Sequence, residues 1–376
     1  MKKYEALEHF QQNIVNLKSK QKMQKVEEFF LENKDELVKD LVQSFSEICI
    51  KIKQMQSSNE KSKIGFITYS LLRTSMKEKR LTYLVEAFDN RWFFDRVECQ
   101  TEYEANWLLK FLNELETELE NERRQYFNMI VKADIEKIKL KEVGYYNQYL
   151  ALLGRYAASE MLSLKEYGDI EKDEQLEVRV GEYLDISEII FKEDFRVRDS
   201  KEVKAWLEEK SDRLYWSESL RNYDFSDGNF ESKSFNYSDF SMSNISNCKM
   251  KSCMLIGTKF SRAIMKNTDL SCTYIYDADF SDCDLEGASF CKADGEKGKF
   301  YNTKFKRRSL WGVSFEGANL ENADFENANL KGATFKDARL LNVNFKGAVL
   351  YDAVFSKSAI ELLSLDDEQL KSIILL

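Results

Sequence analysis

Proline is absent from all 376 residues, and histidine occurs once, at His9. The first absence leaves glycine, asparagine and aspartate to punctuate the chain. The second excludes, within one chain, a Ser-His-Asp or Cys-His nucleophile arrangement and a histidine metal site. There is no Walker loop and no GxGxxG motif. No apolar run approaches the ~20 residues of a membrane span, and Met1-Lys2-Lys3-Tyr4-Glu5 leads into a charged helix rather than a signal-peptide core. Seven cysteines, without short paired spacing outside the C-terminal part, point to free thiols in a reducing compartment. A cytoplasmic location is expected. Charge is short of any basic excess: 56 Lys and Arg face 65 Asp and Glu, a net charge of −9. That balance gives no overall attraction to nucleic acid or anionic lipid. The 65 acids offer accidental pairs in any fold, so a paired-carboxylate hydrolase gains little from them. No enzyme, cofactor or metal is expected.

What the chain does have is a beat of five. From Leu220 to Phe355 every fifth residue is apolar over 28 consecutive positions, with one exception at Gly295. The residue two places earlier is usually small, as at Ala263, Ala278, Ala318, Ala323 and Ala328. A period of five is neither 3.6 nor 2, so neither an ordinary helix nor a flat strand explains it. A large and a small residue at fixed places in each five describe a chain turning inward on a regular beat. Cys248 and Cys253 both fall on the small inward place and read as core residues rather than a metal or redox pair.

The stretch Gly317-Ala318-Asn319-Leu320-Glu321-Asn322-Ala323-Asp324-Phe325-Glu326-Asn327-Ala328-Asn329-Leu330 resembles the A(D/N)LXX signature of the pentapeptide-repeat family. The resemblance covers the last two fifths of the chain. It implies a right-handed quadrilateral β-helix, one pentapeptide per side and twenty residues per coil. The fold class expected is thus α + β: an N-terminal all-α helical domain over 1–198, a capping helix and linker over 199–216, the β-helix over 217–360, and a C-terminal capping helix over 361–376.

In the N-terminal region the pattern predicts helices over 3–31, 34–56, 62–88, 102–140 and 145–167. Leu108, Leu112, Leu115, Leu119, Tyr126 and Ile130 would line one side of the fourth. Ser57-Ser58-Asn59 and Asp89-Asn90 read as loops, and Leu176–Val180 as a short strand. Asp199, three residues before Glu202, begins a helix carrying Val203, Trp206 and Leu207 on one face, fit to seal the first coil. At the far end Ser364 precedes Asp366, Asp367 and Glu368, acids placed where a helix dipole favours them. In the family such helices often cap the coil and join two subunits, so the resemblance implies a homodimer through Leu370, Ile373 and Ile374.

A twenty-residue coil stacks residues twenty apart. On that folding Lys266, Glu286, Lys306, Glu326 and Lys346 alternate in sign, as do Asp284, Lys304 and Asp324, and Asp239, Lys259, Asp279 and Lys299 on an adjacent side. The best-known members of the family act as DNA mimics that protect bacterial type II topoisomerases from quinolones, which needs rows of unopposed carboxylates. Residues 217–360 hold 19 acids and 19 bases, and no insertion breaks the phase to supply a projecting loop. The DNA-mimic reading is weakened on both counts.

Two surfaces stand out. Met254, Ile256, Tyr274 and Tyr276 flank the inward Leu255 and Ile275, making an outward patch for a partner or for the N-terminal helices. Around Gly295 the repeat is irregular, and Lys304, Arg307 and Arg308 crowd beside Trp311, a solvated rim in preference to an anion or nucleic-acid site. The reading that results is a non-enzymatic adaptor binding another protein, with protection of DNA gyrase or topoisomerase IV as the alternative. No membrane partner and no direct nucleic-acid binding are expected.

Overall fold

The N-terminal region is helical but not all-α. A computed structural model describes residues 2–209, 214–302 and 307–376, with 300–302, 307, 308 and 360–362 by backbone only. The chain divides into two compact units, Met1–Phe195 and Arg196–Leu376.

In the first unit, α1 (Lys3–Phe10) runs through a π-helical turn at Gln11–Val15 into α2 (Asn16–Ser57). The 42 residues of α2 make a rod about 63 Å long. No α-helix occupies 62–88, only a 3-10 helix at Arg73–Glu78. That stretch forms β1 (Ile64–Leu71) and β2 (Thr82–Phe88), and 102–140 divides into β3 (Gln100–Glu104), α3 (Asn106–Glu122) and the first part of α4 (Lys132–Ser163). After α5 (Lys165–Asp169) come β4 (Lys172–Glu182), where a strand was expected, and β5 (Ser187–Asp194). The sheet order is β3-β2-β1-β4-β5, parallel only between β1 and β4. Its buried side, with Ile67, Tyr69, Tyr83, Val85, Leu176, Val178 and Val180, carries the β-branched and aromatic residues suited to a pleated surface. Elements α2 and α4 pack on the sheet. Leu108, Leu112, Leu115 and Leu119 are buried along α3 as the stripe required, while Tyr126 and Ile130 are buried beyond its end. The sole histidine pairs with this region, its Nδ1 2.8 Å from the Tyr126 hydroxyl. Among the described residues no helix is long and apolar enough to cross a membrane.

The second unit opens with α6 (Ser200–Glu208), whose Asp199 cap accepts from the Lys201 N–H. Val203 and Leu207 enter the core of the repeats, and Trp206 meets Tyr215 edge-on at 4.8 Å. A solenoid follows. Parallel bridges join residues twenty apart, from Leu214↔Ser234 to Tyr274↔Asp294. The apolar beat is buried from Leu220 to Phe290 and from Leu310 to Phe355, and Phe240, Phe260, Phe280, Phe315, Phe335 and Phe355 stack at centroid spacings of 5.3, 4.9, 5.2, 5.0 and 4.7 Å. Several polar residues at the small inward place donate to a carbonyl of the coil before, Ser238 to Tyr215, Thr258 to Phe235, and the Cys248 and Cys253 thiols to Phe225 and Phe230, while Thr273 donates to Leu270 of its own coil. The Asp or Asn before each apolar residue accepts from the N–H two residues on, as at Asp269, Asp279 and Asp324. The residue two after the apolar one is left-handed, which suits Asn247, Asn322, Asn327 and Gly257.

The step between bridges changes once. Asp279↔Ser314, Asp284↔Asn319, Ser289↔Asp324 and Asp294↔Asn329 lie thirty-five apart, and twenty returns at Ser314↔Thr334. Fifteen extra residues therefore lie between Asp294 and Ser314; counted in phase they are 296–310, although the Lys297 N–H still donates to the Lys331 carbonyl of the next coil at 2.9 Å. This overturns the expectation of an unbroken phase, because the excursion is three fives long and carries its own Phe300, Phe305 and Leu310. The charge columns that cross it are corrected too. Lys266 and Glu286 pair at 2.7 Å, but the next residue is Glu321, not Lys306. Asp284 is followed by Asn319 rather than Lys304, and Asp279 by Ser314 rather than Lys299.

Candidate functional site

The stacked rings fill the solenoid, so whatever it does chemically is done by its outer residues and by the excursion. Within the excursion β6 (Phe300–Asn302) pairs antiparallel with β7 (Arg307–Arg308), and the Gly298 N–H donates to the Ser309 carbonyl at 3.0 Å. One side chain fixes where the chain rejoins the coil. The Asp277 carboxylate accepts from Ser309 Oγ at 2.7 Å and from the N–H groups of Leu310, Trp311 and Gly312 at 3.1, 2.8 and 3.1 Å. Burial pushes this carboxyl above its ordinary value, against the pull of those four donors. Gly295 belongs to the same junction. A Cβ on it would stand 2.4 Å from Val313 Cγ2, so the buried Val313 fills the space the glycine leaves.

Of the irregular-surface residues, Lys304 lies outside the described residues. Arg307 and Arg308 are placed by backbone in β7, and Trp311 is half-buried at the chain's return to the coil. The excursion changes the charge account as well. It carries six bases against one acid, leaving 18 acids and 13 bases in the rest of 217–360. A balanced total thus conceals an acidic coil and a basic excursion.

The expected outward patch is half of what the pattern suggested. Met254 and Tyr274 are bridged neighbours, 39% and 48% exposed, whereas Ile256 and Tyr276 are 3% and 4% exposed. The Tyr276 hydroxyl donates to Asp294 Oδ2 at 2.6 Å; burial, then this carboxylate, pushes its pKa well up.

At the C-terminal end the helix is shorter than expected. It is α7 (Asp367–Ser372), after which β10 (Ile374–Leu375) pairs parallel with β9 (Val354–Phe355), itself paired with β8 (Thr334–Phe335). Leu370 and Ile374 are exposed, and Ile373 packs against the core of the repeats. Asp366 caps α7 in a reciprocal box with Gln369. Gln369 also closes the solenoid, its Nε2 donating to the Phe345 and Ala348 carbonyls at 2.8 and 2.9 Å. The sequence reading named neither Asp277 nor Gln369. Asp277 gave no signal, since Asp227 and Asp282 hold the same left-handed place in other fives. Gln369 did give one, three residues after Asp366.

The family model for pentapeptide repeats matches in eight copies, over residues 234–271, 252–287, 273–312, 299–337, 309–347 and 328–361. Residues 234–361 are pentapeptide repeats. Solved structures similar to this chain include a trypsin-treated form of QnrB1, a plasmid-mediated fluoroquinolone resistance protein, at 18% identity over 44% of this chain and 86% of that one, TM-score 0.28. A pentapeptide repeat protein of the Arabidopsis thaliana thylakoid lumen is 26% identical over 40% of this chain and 73% of its own, TM-score 0.18. HetL, a pentapeptide repeat protein involved in heterocyst differentiation regulation in Nostoc, is 14% identical over 43% and 98%, TM-score 0.17. No curated protein sequence matches the chain.

Proposed function

We propose that the protein is a non-enzymatic adaptor. Its pentapeptide repeats form a right-handed, four-sided β-helix over 217–360, and that rigid body, together with the N-terminal domain, binds another protein in the cytoplasm. The observation that carries this reading is the unbroken stack of phenylalanines, which leaves no interior for a substrate and every outward side chain on a stiff frame. Met254 and Tyr274 are the exposed part of the candidate partner surface. A homodimer through Leu370, Ile373 and Ile374 belongs to the same proposal. The test is capture from bacterial lysate with the full-length chain as bait, at low and high salt, read by mass spectrometry. One protein retained at high salt and lost on Met254→Lys with Tyr274→Lys supports the adaptor; capture unchanged by that pair removes this surface from it.

A second reading has a specific observation behind it. The excursion is the kind of projecting insertion that an unbroken phase would exclude, and without it the coil has five more acids than bases. Both favour a DNA-mimic protector of gyrase or topoisomerase IV more than the balanced total did. A gyrase supercoiling assay with a quinolone decides this: recovery of supercoiling by the added protein supports protection, and unchanged inhibition removes it.

A further inference from the structure

The turn between β2 and β3 presents an apolar tip that the first unit holds in place. Phe93 and Phe94 are 54% and 83% exposed, Val97 is exposed beside them, and Trp92–Phe94 is a single 3-10 turn. Beneath the tip lies an ion pair, Lys61 Nζ to Asp95 Oδ2 at 2.7 Å, with side chains only 1% and 2% exposed. Asp95 also accepts from the Asp89 and Val97 N–H groups, at 2.9 and 3.0 Å, and Asp89 from the Arg91 N–H at 2.9 Å. Trp92 is left-handed at φ 53, a conformation a bulky residue seldom adopts; its ring stacks on Phe66 at 4.3 Å with the Arg179 guanidinium 4.9 Å away. A buried ion pair and a strained tryptophan are costly ways to order a turn unless the turn's own geometry is used.

Charge is sorted across this turn. Its acids Asp89 and Asp95 face inward onto Arg91, Lys61 and backbone donors, while the side chains of Arg91 and Arg96 are exposed on either side of the phenylalanines. Lys63 is an exposed base just before β1, and Glu60 and Glu98 are exposed acids in the neighbouring sequence. Three apolar side chains on a convex turn fall far short of the ~800 Å² per partner that an ordinary protein interface buries. They suit a surface that receives a small wedge, and since Asp89 holds the Arg91 guanidinium it is the exposed Arg96 and Lys63 that suit an anionic one.

We propose that this turn is a lipid-contacting tip: Phe93, Phe94 and Val97 enter the interface of an anionic bilayer while Arg96 stays among its headgroups. It lies on the membrane and does not span it. A wedge of this size gives weak, reversible attachment, so both its apolar and its charged parts should be measurable. The proposal does not rest on the adaptor reading.

The test is co-sedimentation of the full-length chain with vesicles of phosphatidylcholine and phosphatidylglycerol in equal parts, against phosphatidylcholine alone. Binding is expected to the mixed vesicles, to weaken with salt, and to fall about tenfold in Phe93→Ser with Phe94→Ser, side chains whose exposure keeps the fold out of the readout. Arg96→Glu should cost about threefold or more. No binding of the unaltered chain to the mixed vesicles, or binding unchanged by the double serine variant, overturns the proposal.

Discussion

Asp277 does two jobs that other residues at its place in the repeat do once. Its backbone turns left-handed at φ 55, as the repeat demands, and its carboxylate gathers the returning chain. Replacing it by alanine strands three backbone N–H groups, so Asp277→Ala should destabilise the second unit by about 2 to 3 kcal/mol. Limited proteolysis should then cut first within 296–310. The cysteines allow a second forecast. Cys248 and Cys253 are buried and their thiols pushed up to about 12 by desolvation, whereas Cys272 is exposed. A thiol reagent applied to the folded chain should label Cys272 first and leave the inward pair unlabelled until denaturant is added; early labelling of Cys248 would mean the coil opens there. The sequence anticipated both inward thiols, because the small place in the five repeats. It could not anticipate Asp277, whose role depends on a neighbour thirty-odd residues away.

Among the elements, the β2–β3 turn is the one with a pH signature. Burial works to raise the Asp95 pKa, but Lys61 and two backbone N–H groups outweigh it and hold the carboxyl below its ordinary value. A depressed native pKa contributes stability that is present above the unfolded value of about 3.9 and is lost as pH falls through the lower native one. The turn should therefore hold its order at pH 5 and lose it in stronger acid, seen as faster amide exchange over 89–98. Element α7 gives a simpler test. Gln369→Ala leaves two carbonyls of the last coil without their donor and should lower stability by about 1 to 3 kcal/mol, read by thermal unfolding. Elements were also where sequence reading failed most. Ile64, Ile67 and Leu71 repeat at three and four, the spacing of a helix, yet they lie on a strand that is buried along nearly its whole length, where alternation disappears. The stripe along α3 succeeded because only one of its sides is buried.

For the whole molecule, the excursion is an addition to a complete solenoid. Deleting 296–310 joins Gly295 to Trp311 and restores the twenty-residue step, so the shortened chain should fold with a melting temperature near that of the parent. Collapse of the variant to an unfolded chain would mean that the excursion props the coils it separates. The beat of five was legible because every inward slot announces itself, while the coil's interruption was not, because an added segment of three fives sounds the same beat. Bridges thirty-five apart are a fact of space, and a count along the chain does not contain them.

Counting modulo twenty shows what that length means. Retained within the coil, fifteen extra residues would advance every later residue by three quarters of a turn, bringing Lys299 rather than Ser314 over Asp279 and reassigning every column after it. Looped out, the same fifteen change nothing downstream. A solenoid of this kind can therefore gain or lose such a segment in one genetic event with no second change to compensate, and the segment is free to diverge while the columns on both sides keep their addresses.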